Sequence, residues 1–231
     1  KLKVGNDLIR HRGPDDEGYW IKALDDNSFS CSGEDTVNEL RKDTRQINEI
    51  DNFAKVALAH RRLSIIDTSF NGHQPMIRDK ITLAFNGEIY NYKDLKESLK
   101  NSWKFESSSD TEVILAAYRK WGSKCFEKFD GMWAIAIYDG NKDKFILCRD
   151  RLGEKPLYYS QTQKTIFFAS EIKSLIKSGL VDFKINRELV CNYLFTAQPK
   201  FNSEKISTFF SNIFEVEPGT YYEINIKNLK L

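Results

Sequence analysis

The sequence predicts an α+β fold, and three observations lead there. Apolar β-type runs come in groups joined by short turn signals, as where residues 132–138 meet residues 144–149 across Asp139-Gly140-Asn141. Helical segments also come in groups, in the middle of the chain and near its end. At least seven strands read as antiparallel hairpins rather than alternating with helices, which argues against a βαβ winding.

Each element has its own signal. Residues 7–12 read as the end of a helix and its exit turn, and Gly13-Pro14-Asp15-Asp16-Glu17-Gly18 as a turn by residue type. Tyr19-Trp20-Ile21 is a short strand. Residues 24–52 are polar and mixed in charge, with only Val37, Leu40 and Ile47 hinting at a weak helix; a solvated surface insertion is expected there. Val56-Ala57-Leu58-Ala59-His60 is a strand, and Leu63-Ser64-Ile65-Ile66-Asp67 is expected to continue extended. Asn71-Gly72 and Pro75 mark residues 69–76 as a loop. Ile81-Thr82-Leu83-Ala84-Phe85 is a strand expected to stop at Asn86-Gly87-Glu88. Residues 92–99 read as a short helix with Lys and Glu on its polar face.

Ser109 and Glu112 fit a capping box, and Gly122 fits the end of the helix it opens. That helix is apolar on nearly every side, so it is expected to be buried. A short helical stretch at 125–129 follows, then the hairpin already named. Residues 157–159 and 165–169 read as a further hairpin across Thr162-Gln163-Lys164. Residues 171–177 are helical, Asn186 can cap a helix at 187–195, and residues 221–226 alternate cleanly as a strand.

Bulk properties narrow the class of function. A hydrophobic content of 41% over 231 residues suits one large domain or two small ones. The net charge of +2 gives neither nucleic acid nor an anionic membrane much to hold. No apolar run is long enough to span a bilayer and no signal peptide opens the chain. The four cysteines, at 31, 125, 148 and 191, form no CxxC and have no neighbouring His. They read as reduced, mostly buried thiols of a cytoplasmic protein. The chain begins at Lys1 and ends at Asn228-Leu229-Lys230-Leu231 just past a strand, so it is expected to be part of a longer polypeptide.

The segment Asn86-Gly87-Glu88-Ile89-Tyr90-Asn91 concentrates the chemistry. It sets an amide side chain, an unhindered backbone N–H and a carboxylate side by side, the equipment for holding an oxyanion and an ammonium together. Taken singly, each candidate has an ordinary explanation. Asn-Gly often makes a hairpin turn, Arg62 could be a surface cation, and Asp110 could simply favour a helix N-terminus.

In series the motifs say more. Arg10-His11-Arg12-Gly13-Pro14-Asp15, His60-Arg61-Arg62-Leu63-Ser64-Ile65-Ile66-Asp67, Asn86-Gly87-Glu88-Ile89-Tyr90-Asn91 and Ser109-Asp110-Thr111-Glu112 occur in that order. Phe129-Asp130-Gly131-Met132-Trp133-Ala134, then Arg149-Asp150-Arg151-Leu152-Gly153-Glu154-Lys155-Pro156-Leu157-Tyr158-Tyr159, and Ala169-Ser170-Glu171-Ile172-Lys173 follow. Together they resemble the glutaminase domain of glutamine-hydrolysing asparagine synthetases. These are class II glutamine amidotransferases, within the N-terminal nucleophile hydrolases.

The resemblance covers residues 1–231 apart from the stretch around 24–52. It implies a four-layer αββα sandwich of antiparallel sheets. It also implies a reaction in which L-glutamine gives glutamate and ammonia, the ammonia passing to a covalently linked synthetase domain that amidates an adenylated aspartate. That second domain lies outside this chain. ATP and Mg²⁺ would belong to it, no cofactor or metal is implied here, and a homodimer is left open. Carried over residue by residue, Asn86 and Gly87 match the oxyanion hole and Arg62 the holder of the glutamine α-carboxylate. Glu88 and Asp110 match the holders of the α-ammonium, and Leu63, Ser64, Ile65 and Ile66 the segment lining that pocket. Arg149-Asp150 and Lys155-Pro156 are assigned to structure or to the domain interface.

One expected part is missing. The family attacks with an N-terminal cysteine whose own α-amino group serves as base, and this sequence has none. Either such a cysteine precedes the motifs in the complete protein, leaving residues 1–231 alone inactive, or the protein is a silent glutamine-binding module. A third reading keeps the chemistry but amidates a carboxylic acid other than aspartate.

Overall fold

The computed structural model describes residues 1–50, 54–197, 205–227 and 229. In chain order the elements are α1 (Leu2–Asp7), β1 (Asp16–Ala23), β2 (Ser28–Ser32), α2 (Asn38–Arg41), β3 (Arg45–Gln46), β4 (Ala54–Arg62), β5 (Met76–Arg78) and β6 (Ile81–Ile89). There follow α3 (Tyr92–Leu99), α4 (Asp110–Trp121), β7 (Gly131–Asp139), β8 (Lys144–Arg149), β9 (Tyr158–Gln161), β10 (Ile166–Ala169) and α5 (Ile172–Lys177). The last are α6 (Arg187–Thr196), β11 (Ile206–Ser207), β12 (Phe214–Glu215) and β13 (Tyr221–Asn225).

The described residues form three sheets. One is five-stranded, in the order β13-β8-β7-β6-β5, with every neighbour antiparallel. The others run β3-β2-β1-β4 and β10-β9-β12-β11. Alternation along β6 and β7 divides the core. Leu83, Phe85, Ile89, Trp133, Ile135 and Ile137 pack with α3 and α4 on one face of the five-stranded sheet. Ala84, Ala134, Ala136 and Tyr138 pack on the other face against Trp20 and Leu58 of the second sheet and Tyr159 of the third. Small residues here let the sheets meet, and the Trp20 and Tyr138 ring centroids lie 5.4 Å apart. Tyr19, Ile21 and Cys31 form a further cluster with Leu2 of α1 on the far side of the second sheet. The layers are therefore helix, sheet, sheet and helix, as the resemblance implied.

The second and third sheets share one layer, and among the described residues no strand pairs one with the other. The open edge of β4 and the open edge of β10 face a common cavity of about 410 Å³. Its floor is Ala84, Asn86, Ala134 and Ala136 of the five-stranded sheet, and its roof comes from α1 and α5.

Five expectations need correction. Residues 16–18, expected within a turn, open strand β1, where Asp16, Glu17 and Gly18 pair with Arg62, Arg61 and His60. The stretch expected as a solvated insertion is woven into the second sheet as far as Ile50: Cys31 is 2% exposed, and β2 pairs with β1. Polar anchors hold it, which a hydrophobicity pattern misses. Arg61 Nη1 lies 2.6 Å from Asp35 Oδ2, and the Asp35 N–H donates to Glu17 Oε1 at 2.8 Å. Residues 63–67 are not extended strand. The ladder ends at the pair Asp16–Arg62, and the Ser64 N–H goes instead to Asp15 Oδ2 at 2.8 Å. Strand β6 does not stop at Asn86 but stays paired with β7 as far as Ile89 opposite Gly131. Only half of the capping box forms: Ser109 Oγ accepts from the Thr111 N–H, while the Glu112 carboxylate turns to the N–H groups of Glu106 and Ser107. The short strands β3, β5, β11 and β12 carry too few residues to show a period in the sequence.

Candidate functional site

The site forms where β4 and β6 end beside the start of α4. Along β6 the odd-numbered residues turn their N–H groups away from β7. The Phe85 N–H donates to Gln74 Oε1 at 2.7 Å and the Ile89 N–H to Asp110 Oδ2 at 3.0 Å. Gly87 lies between them, so its N–H points to the same edge, past the end of β5. The glycine is required by close approach. A Cβ there would lie 2.1 Å from the Met132 carbonyl oxygen, and its φ of +156° is one that side chains disfavour. Next to it the Asn86 Nδ2 is buried and has no hydrogen-bond partner. Buried amides are nearly always paired, so an orphaned one costs about 1–3 kcal/mol and marks a donor waiting for a ligand. Asn86 also forms part of the cavity floor.

Two carboxylates stand at the same end. Asp110, 5% exposed, sits in the first turn of α4 with Ser109 as N-cap. Burial raises its pKa above the ordinary carboxylate value, and the nearby Glu88 raises it further, against the pull of backbone N–H donors. For a carboxyl group, a raised folded-state pKa means that holding the charge costs stability above that pKa, and that stability is regained as pH falls through it. A bound cation would relieve that cost.

Across from them, Arg62 is 6% exposed at the end of β4. Burial lowers its pKa, yet guanidinium stays protonated at any ordinary pH. Nη1 donates to the Ser69 carbonyl at 2.8 Å and Nη2 to the Asp67 carbonyl. These two bonds fix the fork and leave other N–H donors of the group for a planar anion. The Asp67 carboxylate accepts from the Ser108 N–H at 2.8 Å and from the Ser69 N–H at 2.9 Å. Against burial, which pushes the other way, the Ser69 hydroxyl and those N–H donors hold its pKa down at about 2. The stability this gives is complete above about pH 4 and is lost as pH falls towards 2.

Asn86, Gly87, Glu88, Asp110 and Arg62 are thus gathered by Asp67 and by Gln74, which also donates to Thr111 Oγ1 at 3.4 Å. Leu63 and Ile65 are 55% and 71% exposed, and Ser64 is held through its backbone by Asp15, so this lining segment is a loop at the rim. The arrangement sets a buried amide N–H donor beside an outward backbone N–H, with a guanidinium and two carboxylates on neighbouring segments, groups that can hold an oxyanion, a carboxylate and an ammonium. Among the described residues no group of three His, Cys, Asp or Glu stands ready for a metal ion.

The glutamine amidotransferase domain model matches residues 37–231. The chain belongs to the glutamine amidotransferase family. Over 228 residues it is 37% identical to asparagine synthetase [glutamine-hydrolyzing] 2 of Bacillus subtilis (strain 168), covering 97% of this chain and 26% of that protein. It is 34% identical to asparagine synthetase [glutamine-hydrolyzing] 1 of the same organism, covering 96% and 30%. It is also 33% identical to Amidase chry2 of Gibberella zeae, covering 96% and 28%. The chain thus spans roughly a quarter to a third of the length of these relatives. A solved glutamine phosphoribosylpyrophosphate amidotransferase from B. subtilis shares the fold, with a TM-score of 0.64 at 20% identity, over 98% of this chain and 44% of that one.

In this glutamine amidotransferase domain Arg149 and Asp150 serve the structure. Asp150 accepts from the N–H groups of Trp133, Leu152, Glu154 and Lys155, and Arg149 donates to the carbonyls of Gly153, Lys155 and Val216. Cys31, Cys125 and Cys148 are buried, and burial pushes the first up to about 11 and the last to about 12, so neither is a thiolate near neutrality. The sequence reading missed Asp67 and Gln74. Asp67-Thr68-Ser69 has the residue types of an Asx turn, which could have flagged the first. Among the described residues no helix is long and apolar enough to cross a membrane.

Proposed function

We propose that this domain binds L-glutamine and releases its side-chain amide as ammonia for a linked, ATP-using synthetase domain that makes asparagine. The buried, unpartnered Asn86 Nδ2 beside the outward Gly87 N–H is the observation that carries the reading. Arg62 takes the α-carboxylate; Glu88 and Asp110 take the α-ammonium. A thiolate adds to the carboxamide carbon, and the C=O electrons move onto oxygen, where Asn86 and Gly87 donate to the oxyanion. The C–N bond breaks as nitrogen takes a proton and leaves as ammonia. Water then opens the thioester to glutamate and frees the thiol.

The nucleophile in this reading is a cysteine at the head of a strand preceding Lys1. The gap between β4 and β10 supports it, being bounded by two open strand edges with Asn86 on its floor. In this reading ATP and Mg²⁺ would belong to the synthetase domain, and we assign the protein to the cytoplasm. The test uses the full-length protein. It should convert glutamine to glutamate and ammonia, and a diazoketone analogue of glutamine should label its first residue. No hydrolysis, or label confined to Cys31, Cys125, Cys148 or Cys191, would overturn the proposal.

Asp110→Asn supplies a separate check. It should leave the melting temperature unchanged or slightly higher, because a costly buried charge is gone. The KM for glutamine should rise about 10- to 100-fold, the loss of one charge-assisted contact. A lower melting temperature with an unchanged KM would contradict the assignment. A second reading changes only the acceptor and is favoured by the 33% identity to Amidase chry2. Assays with ATP, glutamine and a panel of carboxylic acids separate the two.

A further inference from the structure

We propose, resting on the glutamine reading above, that Asp67 is a positioning residue that sets the spacing between the cationic and anionic ends of the site. Through that spacing it confers the preference for a free α-amino acid. Asp67 is 8% exposed and touches both halves of the site. Its backbone carbonyl accepts from Arg62 Nη2. Its Oδ2 accepts from the Ser108 N–H at 2.8 Å and Ser108 Oγ at 3.0 Å, two residues before Asp110. Its Oδ1 accepts from the Ser69 N–H at 2.9 Å and Ser69 Oγ at 2.6 Å, and the Ser69 carbonyl holds the other arm of Arg62.

Four donors occupy this carboxylate, so it has little left to offer a ligand and acts through the groups it fixes. The guanidinium is confined on another side as well, since a Cβ on Gly72 would lie 2.0 Å from Arg62 Nη2. A link from Arg62 to the start of α4 runs through this residue. The loop at 63–69 is otherwise largely exposed, whereas α4 keeps its own ties to β6 through Gln74 and through Asp110 to the Ile89 N–H. Loss of the Asp67 carboxylate would therefore let Arg62 move relative to Asp110 without freeing Asp110 from β6.

In an L-α-amino acid the carboxylate and the ammonium hang on one carbon, so their separation is fixed. A site of matching, rigid spacing engages both at once; a slack one engages either. The full-length protein should therefore be assayed on L-glutamine and on glutaramate, which lacks the α-ammonium. Asp67→Asn should lower the ratio of the two kcat/KM values at least tenfold. The loss should lie in the KM for glutamine, and hydrolysis of glutaramate should change less than threefold. Ser108→Ala, which removes one of the two bonds from Ser108, should move the ratio the same way by a smaller factor and serves if Asp67→Asn does not fold.

An equal loss on both substrates, or an unchanged ratio, would overturn the proposal while leaving the glutamine reading intact. A wild type that does not hydrolyse glutamine would sink both.

Discussion

Asn86→Ala is expected to lower glutamine turnover by the full-length enzyme about 10²- to 10³-fold, roughly 3 kcal/mol of transition-state stabilisation, with the KM changed only a few-fold. The split follows from where the donor sits. In the ground state the substrate carbonyl is neutral and gains little from the amide. In the tetrahedral intermediate a full negative charge develops on that oxygen, within a partly buried site where a hydrogen bond is worth more than in water. Asn86 Nδ2 has no competing partner in the free protein, so no bond has to be broken first. The fold should not suffer, because the substitution removes a buried donor that is already unsatisfied. Melting curves should therefore superimpose or move slightly upward. A variant that keeps full turnover would remove Asn86 from the oxyanion hole; one that loses turnover only by unfolding would leave its role unsupported.

Gly87→Ala is expected to act on fold and activity together. The new methyl group would meet the Met132 carbonyl oxygen at 2.1 Å and the Trp133 Cα at 2.8 Å, both backbone atoms of the paired strand. Backbone cannot swing aside as a flexible side chain can. Overpacking and a disfavoured φ each cost about 1–3 kcal/mol. For a domain of this size each kcal/mol lowers the melting temperature by about 2–4 °C, so a fall of roughly 5–20 °C is expected. Turnover should collapse even below the new transition, because prising β6 from β7 redirects the Gly87 N–H. An unchanged melting temperature with wild-type turnover would show that the two strands are not held as closely as described.

The elements that were legible in the sequence are those whose period is sustained. Strands β6 and β7 and helices α3 and α4 carry enough apolar residues to show alternation or a buried face. The site motif at 86–91 was legible for a different reason: its residue types are chemically unusual side by side. Hidden from the sequence was everything fixed by polar contacts between distant residues. Arg61 draws Asp35 into the second sheet, Asp15 takes the Ser64 N–H and ends the extended run, and Asp67 ties the Arg62 loop to α4. A carboxylate pattern reads as solvated surface until a donor far along the chain is placed beside it. The continuation of β6 through Asn86-Gly87-Glu88 was hidden as well, because Asn-Gly signals a turn unless a partner strand with its own glycine, Gly131, lies alongside.

The unpaired edges of β4 and β10 have a practical consequence for handling the protein. Among the described residues each has no neighbouring strand on its outer side, the usual template for pairing between molecules. Because both edges lie under α1 and α5, a polypeptide confined to residues 1–231 should self-associate where those helices lift, exchanging strands from copy to copy as its concentration rises. Light scattering against concentration would show it. A short soluble peptide of high β-propensity, added in excess, should cap those edges and suppress it.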